Sequence, residues 1–406
     1  MTSAGENRTI PMRGLLMIGV WAIALNPATQ AADTVEIGAK DFVRRTVYHS
    51  PQTPGFTSWA GLWRMPDKSV MLCFTQATGP LTGWRPRAPK AVRERLSWPP
   101  PGREGYDMTG LVLENVHLRS TDGGKTWRKV SADPFNSCMN GCTGEGETSL
   151  ADGTVLRAVW GQYLPYWDVP QTGYLQRSGD GTLTWGPPEP LSTDQKLQTW
   201  PKRVRVLADG RIVITGAAAR RDREDWTRNA LASKLRPCLW VSLDKSGRKW
   251  SQPIETMPED SDCAGEEFDV AELGNGDLLA VYRVAVKGKR IEERRQSLLV
   301  KRADTWAPTP VRQTPFPHSG HPELLATREG VVLHIATNGT WWTADRGEHW
   351  TRLAVRGSAY YPRSVQLDDG TILVAGHLGS DDPYGGVDQA IVLDSYRLDG
   401  VPTRHE

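Results

Sequence analysis

The sequence predicts an all-β fold, a six-bladed β-propeller, from two independent repeats. The first repeat is clearest in the run Ser120-Thr-Asp-Gly-Gly-Lys-Thr-Trp127, whose aspartate recurs at positions 180, 244, 304 and 345 of the 406-residue chain. Asp-Gly-Gly supplies the positive φ angles of a tight hairpin, and the tryptophan is large enough to anchor that hairpin against the next layer. The spacing is that of one small four-stranded sheet per copy.

The second repeat gives the number of sheets. It is an Asp-Gly type of turn between two apolar strands that alternate in polarity, as in residues 204–215. Its copies begin at Met65, Leu150, Leu207, Leu273, Thr327 and Leu367. Six copies predict six blades. The β-prone runs at 34–37 and 43–49 are expected to complete the blade that holds the final strand, 389–398, because a closed ring has no free sheet edges.

The first 31 residues have the organisation of a secretory signal peptide. Arg13 supplies a positive flank, Leu15–Leu25 is an apolar run, and Ala28-Thr-Gln-Ala31 is a small-residue cleavage site. The run is too short to span a membrane. We therefore expect a secreted or periplasmic protein, with residues 32–406 forming a single propeller domain.

Composition narrows the range of partners. The formal net charge is only +2 and no long basic stripe is present, which argues against a nucleic-acid partner. The first blade carries an insertion at about residues 75–107 that is rich in Pro, Arg and Trp, and such a segment is a lid, a binding loop or a disordered stretch. We expect a monomer whose ligand is a glycan.

The five cysteines leave two interpretations open. In an exported protein, Cys138 with Cys142 and Cys238 with Cys263 are candidate disulfide pairs, while Cys73 is expected in a buried strand. Alternatively, all five are reduced.

Strand parity predicts which face carries the function. The Asp-Gly turns and the Asp-containing hairpins fall on one face, so residues that open the first strand of a blade, end the second or open the third converge at the opposite mouth. Glu267, His321 and Tyr361 each lie eight residues before their turn aspartate, glutamate or asparagine, while Arg283 and His377 lie seven residues after their turn glycine. Each alone fits a solvated mouth residue, but the set indicates a ligand site.

At these positions the chain resembles the sialidase superfamily. The pattern S-x-D-x-G-x-T-W is similar to the Asp box of that superfamily. The run from Glu267 to Arg283 resembles the blade of retaining sialidases in which a glutamate opens the first strand and a carboxylate-binding arginine ends the second. The resemblance implies that Tyr361 is the nucleophile, that Glu267 is its base, and that Asp107 is the acid/base residue.

Two of the three arginines of the family's carboxylate-binding cluster are not matched. None occurs at Ser58-Trp59-Ala60, where the first would fall, and none occurs in 333–342, where the third would fall. Arg363, next to Tyr361, or arginines of the insertion are candidates to restore an anion site. Trp59 is a candidate for stacking against a sugar ring, with core packing as the alternative.

The resulting expectation is an exo-acting, retaining glycoside hydrolase that acts on sialic acid or another terminal sugar, acidic sugars included. One alternative is a propeller that binds carbohydrate or protein without catalysis. Another is a polysaccharide lyase in which Tyr361, His321 and His377 abstract a proton next to a uronate. We expect no metal and no cofactor, because His318-Ser-Gly-His321 alone lacks a full ligand set.

Overall fold

The computed structural model describes residues 37–79, 112–134, 146–159, 173–194, 196–220, 235–258, 260–288, 292–379 and 389–400. Within these ranges, no helix has the length and apolar character that crossing a membrane requires. The described residues form 24 strands arranged in six sheets, and the first strands of successive sheets contact one another around a ring. This is the predicted six-bladed propeller.

Each blade is an antiparallel sheet that runs from an inner to an outer strand. Blade I consists of β2 (Phe56–Arg64), β3 (Val70–Thr78), β4 (Val112–Ser120) and β5 (Arg128–Pro134). Blade II consists of β6 (Glu147–Ser149), β7 (Val155–Val159) and β8 (Tyr174–Ser178). Blade III consists of β9 (Leu197–Val206), β10 (Ile212–Arg220), β11 (Arg236–Val241) and β12 (Ile254–Glu255). Blade IV consists of β13 (Cys263–Glu272), β14 (Leu278–Val286), β15 (Glu292–Arg302), β16 (Thr305–Pro308) and β17 (Arg312–Gln313). Blade V consists of β18 (Glu323–Ala326), β19 (Val332–Ala336), β20 (Gly339–Thr343) and β21 (Thr351–Leu353).

Blade VI closes the ring with both ends of the described chain. Its inner strands are β22 (Tyr360–Gln366), β23 (Ile372–Leu378) and β24 (Ala390–Asp399), and its outer strand is β1 (Gly38–His49), which pairs antiparallel with β24. The expected sharing of one blade by the terminal strands is therefore confirmed. The predicted insertion falls between β3 and β4, and most of it lies outside the described residues.

The six turns between first and second strands share one geometry. In each, the residue that opens the turn accepts a hydrogen bond from the amide three residues later, as Leu150 does from Gly153 and Leu367 from Gly370. Five copies place glycine at the position of positive φ. The first copy places Lys68 there, with φ of 70° and the same hydrogen bond to Met65. The divergent repeat that begins at Met65 therefore has the same turn geometry as the other five.

The Asp-containing hairpins join third and fourth strands, on the same face as those turns. Ser120 Oγ donates to Asp122 Oδ1 at 2.7 Å and accepts from the Gly124 amide at 2.8 Å, while the Thr126 amide donates to Asp122 at 2.9 Å. The copies around Asp180 and Asp345 repeat these bonds. These side chains replace the backbone pairing that a tight turn leaves unsatisfied.

The hydrophobic core lies between consecutive blades. One cluster joins blades III and IV and contains Cys263, whereas another joins blades II and III and contains Cys238. Both cysteines are free, so the candidate pair Cys238 with Cys263 is wrong. The reason is that the two thiols face different interblade cores. Cys73 is buried in β3, as expected, while Cys138 and Cys142 lie outside the described residues.

Candidate functional site

The mouth of the propeller is shaped by β-bulges in the inner strands of four blades. The pairing register shifts at residues 58–61 of β2, 201–203 of β9, 264–267 of β13 and 360–363 of β22. In β13 the bulge needs a glycine, because a Cβ added at Gly265 would overlap the Arg283 carbonyl oxygen. Bulges bend a strand and change the direction of its side chains. Here they turn side chains toward the mouth.

Tyr361 lies inside the bulge of β22 and has a left-handed backbone, with φ of 50°. This conformation costs a non-glycine residue on the order of 1 to 3 kcal/mol. The side chain is 5% exposed, and its ring lies between the imidazoles of His321 and His377, each with a centroid 6.0 Å away. The surrounding rings thus hold a strained tyrosine in one orientation.

Glu267, Arg283 and Tyr361 form one hydrogen-bonded cluster. The Tyr361 hydroxyl donates to Glu267 Oε1 at 2.8 Å. Arg283 Nη1 donates to Glu267 Oε2 at 2.8 Å and to the Tyr361 hydroxyl at 3.1 Å. Glu267 and Arg283 face each other across β13 and β14, while Tyr361 comes from β22, two blades further on. The structure brings together the three residues that the turn spacing placed at the mouth.

The charges around the cluster favour an ionised Glu267. Burial lowers the pKa of Arg283, but its interactions with Glu267 and Tyr361 outweigh burial and raise that pKa above its ordinary value. Glu292 holds the far side of the same guanidinium, with its Oε2 accepting from Nε at 2.9 Å. The ammonium of Lys202 lies 3.8 Å from Glu267 Oε1. Two cations therefore contact the carboxylate that accepts the tyrosine proton.

Arg294 is a further cation of the mouth, and it was not among the predicted residues. It opens β15, the third strand of blade IV, and is the cross-strand neighbour of Arg283. Its side chain is buried, and its Nε and Nη1 lack a hydrogen-bond partner among the described residues. Burial lowers the pKa of Arg294 to about 9. Strand parity places residues that open a third strand at the mouth, but the offsets from the turns identify residues of first and second strands only, so they do not indicate Arg294.

Arg363 does not reach the Tyr361 hydroxyl. It joins a buried ion network below the mouth, where its Nη1 donates to Glu323 Oε2 at 3.1 Å. The same network contains Arg203, Arg205 and Asp269. Burial acts to raise the pKa of Asp269, but the charges of Arg205 and Arg203 outweigh it and lower that pKa. In this structure Arg363 is a packing and charge-balancing residue.

His321 and His377 are fully buried behind Tyr361 and do not line an open surface. Burial is the main cause that lowers the pKa of His321 well below its ordinary value. His377 Nδ1 accepts a hydrogen bond from the Trp59 amide at 3.3 Å. Trp59 is only 4% exposed and packs edge-on against Phe56, so its ring forms part of a wall and offers no open platform for stacking.

The predicted acid/base residue, Asp107, lies outside the described residues. The strands that flank its segment are described: β3 ends at Thr78 and β4 begins at Val112, and both of these ends are at the mouth. What the described cluster can do is clear from its chemistry. A carboxylate that accepts a phenolic proton at hydrogen-bond distance can deprotonate it, and the resulting phenolate is a nucleophile.

Comparison with known proteins supports the fold. No protein-family model matches this chain, and curated proteins gave no significant match. Among solved structures, a protein of unknown function from Dyadobacter fermentans is 20% identical, with a TM-score of 0.58 over 88% of this chain and 99% of its own. The α-L-arabinofuranosidase Arb93A from Fusarium graminearum is 12% identical, with a TM-score of 0.59 over 87% and 97% of the two chains.

The third comparison is with a sialidase. The Hadza microbial sialidase Hz136 is 17% identical, with a TM-score of 0.54 over 87% of this chain and 68% of its own. The chain has a sialidase-like fold. Likeness at this level of identity shows the fold alone, so the assignment of activity to this sialidase-like propeller rests on its own mouth residues.

Proposed function

We propose that the chain is a retaining glycoside hydrolase that removes a terminal acidic sugar, with Tyr361 as nucleophile and Glu267 as its base. The observation that carries the proposal is the 2.8 Å hydrogen bond from the Tyr361 hydroxyl to Glu267, bridged by Arg283. Tyr361 has a strained backbone, and strained residues cluster at functional sites.

The charge of the mouth favours an anionic sugar. Arg283, Arg294 and Lys202 face Glu267 and Glu292, so three cations surround two carboxylates. Burying the charged guanidinium of Arg294 costs desolvation free energy, and the carboxylate of a bound sugar would offset that cost. A carboxylate nucleophile would be repelled by such a substrate, whereas a neutral phenol is not. The residue types of the cluster therefore fit an acidic sugar.

The proposed reaction has two steps. Glu267 takes the Tyr361 proton while the phenolic oxygen attacks the anomeric carbon, and the leaving oxygen takes a proton from an acid, for which we propose Asp107. Water, deprotonated by that same residue, then displaces Tyr361, which regains its proton from Glu267. Two displacements at one carbon retain the anomeric configuration.

A substrate panel tests the proposal. Aryl α-sialosides and aryl uronides are the expected substrates, aryl α-L-arabinofuranoside serves as a neutral control, and proton NMR of the first sugar released gives the anomer. We expect acidic glycosides to be cleaved with retention. Tyr361→Phe should reduce kcat at least about a thousandfold, because a nucleophile is lost. Tyr282→Phe is the matched control, since among the described residues the Tyr282 hydroxyl hydrogen-bonds to Thr256, which follows β12 of blade III, and to Ser297 of blade IV, and not to the cluster.

The same panel separates the alternatives. Release of unsaturated product from uronate-containing polysaccharide would identify a lyase, a function that the burial of His321 and His377 does not favour. Saturable binding of an acidic glycan with no product would identify a non-catalytic binding propeller. Either result would overturn the proposed hydrolase.

Export is part of the proposal and rests on the predicted signal peptide of residues 1–31. Expression with the full leader in a bacterial host should yield a mature protein in the periplasm that begins near Ala32. Intact mass and N-terminal sequencing measure this directly. A protein that retains its leader in the cytoplasm would contradict it.

A further inference from the structure

Three side chains of different metal-binding types meet between blades I and II, away from the cluster around Tyr361. Cys73 lies on β3, His117 is its cross-strand neighbour on β4, and Glu147 opens β6. Their Sγ, imidazole nitrogen and carboxylate oxygen lie within 4.8 Å of one another. Ligand atoms about 2.0 to 2.3 Å from a zinc ion lie within roughly 4 Å of one another. The three atoms are thus close to the separation that a shared zinc ion imposes.

The donor types and their burial fit zinc. Thiolate, imidazole and carboxylate are the three kinds of protein ligand that zinc uses. All three residues have no exposed surface. A zinc ion with one thiolate, one carboxylate and a neutral imidazole forms a group with no net charge, which removes the main cost of burying these side chains.

The imidazole of His117 is held from its other side. Its Nε2 faces Glu147 Oε2 at 2.9 Å, and its Nδ1 faces Ser131 Oγ at 3.2 Å. Ser131 Oγ in turn lies 3.2 Å from Thr182 Oγ1, in blade II. A ligating histidine almost always donates its second N–H to a carboxylate, a backbone carbonyl or a water, which directs the other nitrogen at the metal. A serine hydroxyl can accept that proton.

Arg157, the cation that pairs with Glu147 across the sheet, makes its ion pair with another residue. Arg157 lies opposite Glu147 across β6 and β7, but its Nη1 donates to Asp133 Oδ2 at 2.7 Å. Its remaining donors contact Gln176, and its guanidinium stacks on Trp185 at 3.7 Å from the ring centroid. Among the described residues, Glu147 hydrogen-bonds to His117 and Cys73. A metal would complete the charge balance.

We propose that Cys73, His117 and Glu147 bind a structural zinc ion that ties blade I to blade II. Blade II is the least extensive sheet among the described residues, with strands of 3, 5 and 5 residues. A metal ligated from both blades would brace this joint. The sequence contains no metal-binding spacing motif for this site, because its ligands come from three separate strands. The expectation of no metal rested only on His318 and His321.

Metal analysis tests the proposal on the full-length mature protein. After dialysis, inductively coupled plasma mass spectrometry should find about one zinc per chain. Cys73→Ala and His117→Ala should each lose most of that zinc, whereas Cys238→Ala, the matched change at a buried free cysteine of blade III, should keep it. Chelation should lower the Tm of the wild type by several degrees and leave the Tm of Cys73→Ala unchanged. Cobalt loaded in place of zinc should show a thiolate charge-transfer band that Cys73→Ala lacks.

Wild-type protein with no zinc as purified, and with no change in Tm when zinc is added, would overturn the proposal even if the variants fail to fold. The readout is independent of the proposed hydrolase. Tyr361→Phe should retain its zinc, and wild-type protein can hold zinc whether or not any glycoside is cleaved.

Discussion

The two faces of this propeller are built in opposite ways. On the turn face, every blade repeats the same hydrogen bond between turn residues, and the hairpins around Asp122, Asp180 and Asp345 repeat one set of side-chain caps. At the mouth, four inner strands are bulged and two residues, Trp59 and Tyr361, have strained backbones. Local sequence repeats therefore specify the scaffold, while individual residues specify the chemistry.

Trp59 and Tyr361 show this difference at a single backbone position. Both lie in a bulge near the start of an inner strand, in adjacent blades I and VI, and both have positive φ, of 59° and 50°. One side chain packs as a wall against Phe56, whereas the other donates a proton toward Glu267. The strained bulge belongs to the fold, and the phenol placed on it is what makes a reactive site.

The largest expected effect is at Glu267. Glu267→Gln keeps the size of the side chain but removes the base, so kcat should fall by about 10² to 10⁴ with little change in Tm. Steady-state kinetics on the best acidic aryl glycoside measures this loss. Full activity in this variant would mean that the mouth carboxylate is not the base.

A carboxylate below the mouth should behave in the opposite way. Glu323 is itself fully buried, and it accepts hydrogen bonds from Arg363 and from the amide and hydroxyl of Ser364. Glu323→Gln should cost about 3 to 5 kcal/mol of unfolding free energy, because it leaves buried cations without a counter-charge. Urea unfolding measures this, and kcat below the Tm should fall far less than in Glu267→Gln. A stable but inactive Glu323→Gln would contradict the division between mouth and network.

The fold could be predicted from sequence because its signals are local and repeated. Six turn copies gave the blade number, including the worn copy at Met65, where Lys68 takes the glycine conformation. The cluster of Glu267, Arg283 and Tyr361 could also be predicted. Residues at a fixed distance along the strand from the Asp-Gly type turn of their blade all reach the mouth of the propeller. Arg294, the buried role of Arg363 and the free state of Cys238 did not follow, because they depend on side-chain packing between strands that no spacing encodes.

On the turn face, Asp122 should affect stability alone. The hydrogen bonds from Thr126 are the main cause that lowers the pKa of Asp122, so its stabilising effect is present above the unfolded pKa and is lost as the pH falls through the folded one. Asp122→Ala should lower the Tm by a few degrees at neutral pH, with kcat and KM unchanged. Asp304→Ala is the control, since that side chain is 99% exposed in the worn hairpin.

The smallest expected effect is that of His334 on the unfolding free energy, and it can be measured only at acidic pH. His334 is fully buried, and neither ring nitrogen has a hydrogen-bond partner among the described residues. Burial lowers its pKa well below the ordinary value, so below about pH 6.5 the unfolded chain binds a proton that the folded chain does not, and stability falls as pH falls. His334→Leu should reduce the slope of unfolding free energy against pH by up to about 1.4 kcal/mol per unit there.

In the proposed mechanism, Tyr361 forms a covalent bond with the sugar during turnover. Acid quenching of the enzyme at steady state with a fluorinated acidic glycosyl fluoride, followed by intact mass and tandem mass spectrometry, tests it directly. We predict that the protein gains the mass of one sugar and that fragmentation places this mass on Tyr361 rather than on adjacent Tyr360. An unmodified protein that still cleaves the parent glycoside, or a sugar attached to any other side chain, would contradict the account.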